Sequence, residues 1–321
     1  MKYRKIGRTS IEVSEISLGC WTLGGDADAG GMGWKAPSDT DAVEAVKHGL
    51  ERGVNHFDNA DVYGMGRAER VLAKALGDDN KRVVIASKVG WYKGESEHAY
   101  RKENILKQCV QSLKNLNRDY LDIYYFHNCD FGESDKYLDE GLEAFRALKK
   151  EGKIRSIGLS GYAEADFLRL IPRIEPDCLQ SWANILHPEF IKAGSPVASM
   201  LKERGITFTA FNPLSRGLLT GKFSPKNPPV LDKNDVRSTM EEFKPAYLAG
   251  FYGKLERIKE RFGSRPEKLI RAALQYILSH EVVSCVIPGF RNKKQVEQNT
   301  TMAESPLSAE EVEFIETVFR D

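Results

Sequence analysis

Short apolar runs alternate along the chain with longer segments in which apolar residues recur every three or four positions. A short apolar run bounded by glycine, proline or polar residues predicts a buried strand. A longer amphipathic segment that begins near Ser or Asp and ends near Gly or Pro predicts a helix. The predicted strands span residues 15–18, 54–57, 83–87, 121–126, 154–159, 178–181, 207–211 and 282–287. The predicted helices span residues 38–50, 67–76, 102–116, 138–150, 163–171, 197–204, 247–262, 266–280, 293–302 and 308–319.

This alternation determines the predicted fold class. Helices between successive strands predict parallel pairing, and eight such units in 321 residues predict an α/β fold, a (β/α)8 TIM barrel. A doubly wound open sheet is the alternative that the same pattern allows. A β-hairpin is predicted at the N-terminus, with arms at 2–6 and 11–13, and a helix at the C-terminus. Because no linker-like stretch divides the chain, we expect residues 1–321 to form a single domain.

Two segments interrupt the regular spacing. One is rich in glycine and runs from 24 to 33, with Trp21 and Trp34 near its ends. The other, 224–235, is rich in Pro, Asn and Lys, and the alternation of strand and helix resumes after it. A long insertion of this kind predicts a lid or an active-site loop.

Composition and charge narrow the classes of function. The net charge of +1 predicts neither a nucleic-acid partner nor a membrane surface as a partner. No stretch approaches the roughly 18 apolar residues of a membrane span, and no secretory leader is expected. The five cysteines are scattered without a C-x-x-C pair, so we expect reduced thiols and a cytoplasmic location. His127 and Cys129 lack a second Cys/His pair, so no metal site is expected.

Four polar residues follow the ends of three consecutive predicted strands. Asp58 and Tyr63 come after the second strand, Lys88 after the third and His127 after the fourth. Each residue taken alone has an ordinary structural explanation. The carboxyl ends of neighbouring parallel strands share one rim of a barrel, however, so we expect the four side chains to meet in one pocket.

Together these four groups suit proton transfer to an oxygen atom. A free phenol has a pKa of about 10, and a nearby ammonium favours the phenolate, so Lys88 could make Tyr63 a usable acid. Asp58 would compensate the buried ammonium, and a neutral His127 could orient a carbonyl oxygen. The set favours protonation of the alkoxide that forms when hydride adds to a carbonyl group.

The segments around these residues resemble the aldo-keto reductase family. Residues 55–64, Asn-His-Phe-Asp-Asn-Ala-Asp-Val-Tyr-Gly, resemble the family's Asp-to-Tyr motif. Residues 87–88 and 124–127 match its next two catalytic segments, and the resemblance runs from residue 6 to residue 289. The roles that it implies are general acid for Tyr63, pKa-lowering partner for Lys88, ion pair to Lys88 for Asp58, and substrate orientation for His127.

The residues alone leave the hydride donor open. The glycine fingerprint of dinucleotide-binding folds is incomplete at 64–69, and 217–223 is one residue short of a P-loop. The family resemblance implies NADPH or NADP+ bound across the barrel mouth. NADH is the less favoured alternative, because Arg291 would face a 2′-phosphate and no acidic residue adjoins it. The implied cofactor-binding residues are Ser160, Gln180, Phe211, Pro213, Leu214, Arg216, Gly217, Lys222, Gly289, Arg291, Gln295 and Asn299.

The resemblance also implies how these residues divide along the cofactor. Ser160 and Gln180 would bond the carboxamide, and Phe211 would stack on the nicotinamide ring. Residues 215–222 would fold over the pyrophosphate, where a cationic side chain could hold the charge, and 287–299 would bind the adenosine end. The chain departs from the family pattern at Asn59, where Thr is usual, at Gly161, where Asn is usual, and at Phe211, where Tyr is commoner.

Aromatic residues near the strand ends are expected to line the substrate pocket: Trp21, Trp91 and Tyr92, with Trp34 as a further candidate. They predict an apolar cavity with a polar floor, suited to a small aldehyde or ketone such as an aldose or an aromatic aldehyde. The predicted function is therefore NADPH-dependent carbonyl reduction. Two alternatives stay open: an NADP-dependent sugar or alcohol dehydrogenase, and a cofactor-sensing regulatory subunit like the family's potassium-channel β-subunit branch.

Overall fold

The computed structural model describes residues 1–25, 35–231 and 235–320, and within these ranges eight strands form one parallel sheet. Two short antiparallel strands come first, β1 (Tyr3–Lys5) and β2 (Glu12–Ser14). The strands of the large sheet follow in chain order without a crossover. They are β3 (Leu18–Gly19), β4 (His56–Asp58), β5 (Val84–Val89), β6 (Leu121–Phe126), β7 (Ile154–Ser160), β8 (Cys178–Trp182), β9 (Thr207–Phe211) and β10 (Val283–Ile287).

Hydrogen bonds join the two edges of this sheet. The amide of Ser17 donates to the carbonyl of Val286 over 2.9 Å, and the amide of Val286 donates to the carbonyl of Glu15 over 2.9 Å. Gly19 and Gly289 form a further parallel bridge. The strand order and these bridges confirm the predicted (β/α)8 barrel, and the open-sheet alternative is wrong.

Helices surround the barrel and bury their apolar faces against it. They are α1 (Trp21–Gly24), α2 (Asp39–Glu51), α3 (Arg67–Leu76), α4 (Lys102–Leu116), α5 (Leu138–Lys150), α6 (Glu164–Ile174), α7 (Pro196–Arg204), α8 (Pro245–Phe262), α9 (Pro266–Leu278), α10 (Lys293–Thr300) and α11 (Ala309–Arg320). The C-terminal helix α11 packs on α8, as ion pairs such as Arg261–Glu310 show.

Helix α6 runs past the end that the sequence predicts for it. The sequence predicts that this helix ends at residue 171, before Pro172, but the helix continues to Ile174. Ile171 and Ile174 are both buried, so the last turn gains apolar burial that offsets the missing proline N–H. Glu175 ends the helix in a left-handed conformation, with φ of 49°, and its amide donates to the carbonyl of Ile171 over 2.9 Å.

The hairpin β1–β2 confirms the N-terminal prediction and closes one end of the barrel. Ile6, Ile11 and Val13 pack with residues of the barrel interior such as Tyr125. The turn requires glycine at position 7, where φ is +49° and a Cβ would lie 2.1 Å from the carbonyl oxygen of Asp177. The opposite end, where the strands have their carboxyl termini, is therefore the end that can open to a ligand.

Parts of both irregular segments lie outside the described residues. Trp34 and most of the glycine-rich segment lie outside the described residues, as do residues 232–234 of the second segment. After the second gap the chain forms two short 3-10 helices, 236–239 and 241–243, which the sequence pattern did not predict. Among the helices that the structure describes, none combines the length and the apolar character needed to cross a membrane.

Candidate active site

The ammonium of Lys88 is the centre of a buried polar cluster at the open end of the barrel. It donates to Asp58 Oδ2 over 2.7 Å, to the carbonyl of Asn59 over 2.7 Å and to Tyr63 Oη over 3.3 Å. Lys88 itself is fully buried. A lysine at that depth needs a charged partner and further acceptors, and the three contacts supply both.

Asp58 is held on both of its oxygens. Oδ2 accepts from Lys88, and Oδ1 accepts from Gln180 Nε2 over 2.7 Å. The side chain is 4% exposed, at the end of β4. Asp58 is therefore held by side chains from two other strands, Lys88 of β5 and Gln180 of β8. The Lys88 ammonium also contacts the Tyr63 hydroxyl.

Tyr63 lies in the segment between β4 and α3, against the end of α1. The backbones meet closely there, because a Cβ on Gly24 would lie 2.6 Å from the carbonyl carbon of Tyr63. A Cβ on Gly64 would lie 2.2 Å from the carbonyl oxygen of Gly24. The Lys88 ammonium is 5.0 Å from the centre of the Tyr63 ring. Close backbone contact on one side and a cation on the other fix the position of the phenol.

His127 completes the cluster from the end of β6. Its ring meets the ring of Tyr63 edge to face, with centroids 5.9 Å apart, and lies 6.2 Å from the ring of Trp91. Burial and the charge of Lys88 lower the pKa of His127 well below its usual value, so the imidazole is neutral at neutral pH. Its Nδ1 has no hydrogen-bond partner among the described residues. The structure thus brings together all four residues that the sequence singled out.

A cavity of about 790 Å³ extends from this cluster to α10. Asp58, Tyr63 and His127 lie at one end, while Lys88 lies beneath the floor. The twelve positions expected to bind the cofactor all line the cavity: Ser160, Gln180, Phe211, Pro213, Leu214, Arg216, Gly217, Lys222, Gly289, Arg291, Gln295 and Asn299. Trp21 and Trp91 line it as well, whereas Tyr92 is 39% exposed and is not among the lining residues.

The wall formed by the segments after β9 and β10 is cationic. Four cations line the cavity there: Arg216, Lys222, Arg237 and Arg291. Burial lowers the pKa of Lys222, and the charges of Arg237 and Arg291 lower it further. Burial also lowers the pKa of Arg216, whose guanidinium is 4.0 Å from Glu242. Partly buried cations that outnumber their carboxylate partners favour an anionic ligand between them.

The backbone of this wall is strained. Asn212, Ser215 and Arg216 have φ of 56°, 45° and 51°, and Gly217 follows with φ of 95°. Asn212 supports the turn, because its Oδ1 accepts from the amide of Arg216 over 2.8 Å. Left-handed non-glycine residues clustered in this way are typical of ligand-binding segments.

The far end of the cavity is built on the start of α10. Asn292 caps the helix by accepting from the amide of Gln295 over 3.0 Å, and Gln295 Oε1 accepts from the amide of Arg291 over 2.9 Å. Asn299 Nδ2 donates to the carbonyl of Gly289 over 3.3 Å. The predicted adenosine-binding residues therefore lie together, each bonded to the backbone of this chain.

Position 161 explains one departure from the family pattern. A Cβ on Gly161 would lie 2.6 Å from Cys129 Sγ and 2.7 Å from the ring of Phe167. The asparagine that is usual in the family does not fit at this position without displacing both neighbours. Ser160 and Gln180 are therefore the described residues that could bind a carboxamide group. They lie opposite each other on the neighbouring strands β7 and β8.

The sequence reasoning missed several lining residues. Arg237 lies just after the segment 224–235 that is predicted to be a lid or an active-site loop, and Tyr162 lies just after a predicted strand, but neither residue is among the predicted site residues. Tyr162 is 52% exposed and meets the Phe211 ring edge to face at 5.7 Å. Its place directly after Ser160-Gly161, at a strand end, was the signal that could have found it. Thr22 and Gln298 also line the cavity.

The residues present fit a nicotinamide dinucleotide. Such a ligand needs a long cleft, cations for its phosphates, an aromatic face for one ring and amide or hydroxyl groups at the ends. The cavity lining supplies each of these: the cluster around Tyr63, the ring of Phe211, the cations Arg216 and Lys222, and Arg291 beside the start of α10. Gly217 keeps space beside Lys222, because a Cβ there would lie 2.8 Å from Nζ.

Comparison with known proteins agrees with this geometry. The family model described as Aldo/keto reductase family matches residues 15–319. The aldo-keto reductase YhdN of Bacillus subtilis (strain 168) is 26% identical to this chain over 331 residues, covering 100% of this chain and 94% of that protein. L-galactose dehydrogenase of Arabidopsis thaliana is 28% identical, with coverages of 93% and 87%.

A solved structure gives the same result. The holo form of the aldo-keto reductase AKR11C1 from Bacillus halodurans superposes with a TM-score of 0.78 and 29% identity, over 99% of this chain and 96% of that chain. The family match extends over nearly the whole sequence. The chain therefore belongs to the aldo/keto reductase family, whose members are NAD(P)-dependent oxidoreductases that act on small carbonyl substrates.

Proposed function

We propose that this protein reduces aldehydes or ketones to alcohols with NADPH, and that Tyr63 is the general acid. The observation that carries the proposal is the buried Lys88 ammonium, 3.3 Å from the Tyr63 hydroxyl and 2.7 Å from the Asp58 carboxylate. An ammonium in this position stabilises the phenolate that remains after the hydroxyl gives up its proton. The low-dielectric surroundings make this interaction stronger than it would be in water.

His127 would orient the carbonyl group. Its neutral imidazole lines the cavity beside Tyr63, with the two ring centroids 5.9 Å apart. A carbonyl oxygen placed between the two rings would accept hydrogen bonds from the Tyr63 hydroxyl and from an imidazole N–H. As the carbon–oxygen bond gains alkoxide character, Tyr63 transfers its proton to that oxygen.

NADPH supplies the hydride when it is bound. Ser160 and Gln180 would hold the carboxamide, and Phe211 would stack on the nicotinamide ring. Arg216 and Lys222 would bind the pyrophosphate, while Arg291, Gln295 and Asn299 would bind the adenosine end. The cationic wall near Arg291 supports NADP over NAD, because the 2′-phosphate adds negative charge there.

The substrate would lie against two tryptophans. Trp21 is 6.3 Å from the Tyr63 ring, and Trp91 is 6.2 Å from the His127 ring. Such faces favour an uncharged substituent, either an aromatic ring or the C–H face of a sugar. Tyr92 and Trp34 stay predictions as pocket residues, and so does the cytoplasmic location.

The oxidative direction is the second candidate. The relative named L-galactose dehydrogenase favours it, because the same groups can run in reverse. The phenolate stabilised by Lys88 would then accept the proton of an alcohol. The ratio of oxidation to reduction rates, measured with NADP and NAD over a panel of sugars and aldehydes, decides between the directions. The regulatory-subunit alternative stays a prediction, to be examined by single-turnover kinetics together with a partner pulldown.

Tyr63→Phe tests the proposal. This variant keeps the ring but removes the proton, so carbonyl reduction should be lost while NADPH still binds, as measured by fluorescence titration. Tyr162→Phe is the matched control, because it removes a phenol oxygen from the same cavity and should stay near the wild-type rate. Turnover by Tyr63→Phe at the wild-type rate would refute the assignment.

A further inference from the structure

A buried carboxyl group lies behind the cluster, on the helix side of β5. Glu69 of α3 is fully buried, and its two oxygens accept from Ser87 Oγ over 2.7 Å and from Asn115 Nδ2 over 2.8 Å. Ser87 precedes Lys88 on β5. Because side chains alternate along a strand, Ser87 faces the helices while Lys88 faces the barrel interior. One carboxyl group thus joins α3 and α4 to the strand residue next to Lys88.

Packing alone does not account for this carboxyl group. Burial raises the pKa of Glu69, and the hydrogen bonds from Asn115 and Ser87 oppose that rise. An apolar residue would fill the layer between helix and strand without the desolvation cost that a carboxyl group carries. What the glutamate adds is a directional bond to Ser87, which fixes the position of β5 along and across α3.

The same strand is also bonded to the segment that carries Tyr63. The amide of Asp61 donates to the carbonyl of Lys88 over 3.3 Å, and the amide of Asn59 donates to the carbonyl of Ala86 over 2.9 Å. Helix α3 begins at Arg67, four residues after Tyr63. Glu69 therefore links the helix that follows Tyr63 to the strand that carries Lys88.

We propose that Glu69 is a positioning residue for the proton-transfer pair. Through Ser87 it holds β5 against α3, and so keeps the Lys88 ammonium at the distance from the Tyr63 hydroxyl that general-acid catalysis needs. This inference rests on the proposed function of Tyr63 and Lys88. It assigns no contact with substrate or cofactor to Glu69.

Other ionisable groups lie near Glu69 and Lys88, and any test must distinguish their effects from the effect of Glu69. Those near Glu69 are Asp61 before α3, Arg70 on α3, Cys109 on α4 and Tyr124 on β6; those near Lys88 are Cys20, His56, Asp58, Asp61, Tyr63, Tyr125 and His127. Asp61 matters most, because its buried carboxyl group interacts with both Glu69 and Lys88. Burial and the charge of Glu69 raise the pKa of Asp61.

Two variants break the link at different points. Ser87→Ala removes only the hydroxyl that donates to Glu69, and Glu69→Leu removes both oxygens, so that neither Ser87 nor Asn115 has an acceptor there. For each we expect kcat for carbonyl reduction to fall about 10-fold, since small misplacements of catalytic groups have effects of this order. The kinetic pKa of the acid should rise by about half a unit to one unit, while NADPH affinity stays unchanged.

Asn115→Ala is the control, because it removes the other bond to Glu69 and leaves the bond to Ser87. It should lower Tm as Ser87→Ala does but keep the wild-type pH profile. Asp61→Asn separates charge from position. If it alone shifts the pH profile while Ser87→Ala does not, the effect is electrostatic and the positioning role is refuted.

The same assay separates this inference from the proposed function. If Tyr63→Phe keeps turnover, both fall together. If Tyr63→Phe is inactive while Ser87→Ala and Glu69→Leu lose thermal stability but keep the wild-type kcat and pH profile, only the positioning role falls. Should Glu69→Leu fail to fold, Ser87→Ala gives the answer by itself.

Discussion

The two ends of the cavity are built in different ways. At the Tyr63 end the polar groups bind one another: Lys88 bonds Asp58 and Tyr63, and Gln180 bonds Asp58. At the phosphate end, burial and the charges of Arg237 and Arg291 lower the pKa of Lys222, and Asp235, which pairs with Arg237 over 2.6 Å, opposes this. The polar groups of the first end are bonded to one another, whereas the cations that line the second end outnumber the carboxylates of Asp235 and Glu242 that pair with them.

This difference indicates that the two ends have different roles, proton transfer at the Tyr63 end and anion binding at the phosphate end. A bonded cluster keeps its geometry before any ligand arrives, which is what proton transfer requires. A wall of cations on a strained backbone is instead stabilised when an anion binds, so part of the binding free energy goes into relieving repulsion and strain. We therefore expect changes at the Tyr63 end to act on kcat, and changes at the phosphate end to act on cofactor affinity.

Lys88→Met should give the largest effect. The variant removes the charge that stabilises the phenolate and leaves Asp58 buried without its cation. We expect kcat for carbonyl reduction to fall about 10³-fold, in the range typical of lost acid–base catalysis. The remaining activity should show a higher kinetic pKa for the acid. Steady-state kinetics across pH measure both.

The comparison of the two ends also predicts the NADPH affinity of Lys88→Met. NADPH affinity should stay within a few-fold of wild type, because Lys88 lies beneath the cavity floor and does not line it. A circular dichroism melt is needed alongside, since an uncompensated carboxylate lowers stability. If Lys88→Met loses NADPH affinity and keeps kcat, the proposed difference in role between the two ends is wrong.

The sequence predicted the Tyr63 end better than the phosphate end, for a physical reason. Asp58 ends β4, Lys88 is the second-last residue of β5 and His127 directly follows β6, and the register of parallel strands determines where strand ends meet. Arg237 comes instead from a long connection whose path no periodic pattern encodes.

Predictions from local sequence also failed where the burial of side chains in the folded protein outweighed local preferences. Pro172 was expected to end α6, but the buried Ile174 keeps the last turn helical. Gly161 could be noted from the sequence only as a departure from the family, because its cause, the approach of Cys129 and Phe167, depends on packing between separate elements. Tertiary contact of this kind has no signature in a single segment.

Arg291→Met should have an intermediate effect, confined to the phosphate end. We expect NADP affinity to fall about 10- to 100-fold through loss of a charge-assisted bond to the 2′-phosphate, while NAD affinity changes little. Lys293→Met is the matched control, because Lys293 is a nearby cation that pairs with Glu44 at 3.7 Å and is not among the lining residues. Equal losses for NADP and NAD would place Arg291 away from the 2′-phosphate.

Gly161→Ala should have the smallest effect. Gly161 lies where the Tyr63 end of the cavity meets the phosphate end. The new methyl group would press on Cys129 Sγ and the Phe167 ring, so overpacking should lower the free energy of unfolding by about 1–2 kcal/mol. Denaturant titration measures this loss. In a Cys129→Ala background the same change should be less destabilising, because one of the two crowding atoms is gone. An equal loss in both backgrounds would show that Phe167 alone sets the limit, and that Cys129 has no part in requiring glycine beside the proposed carboxamide site.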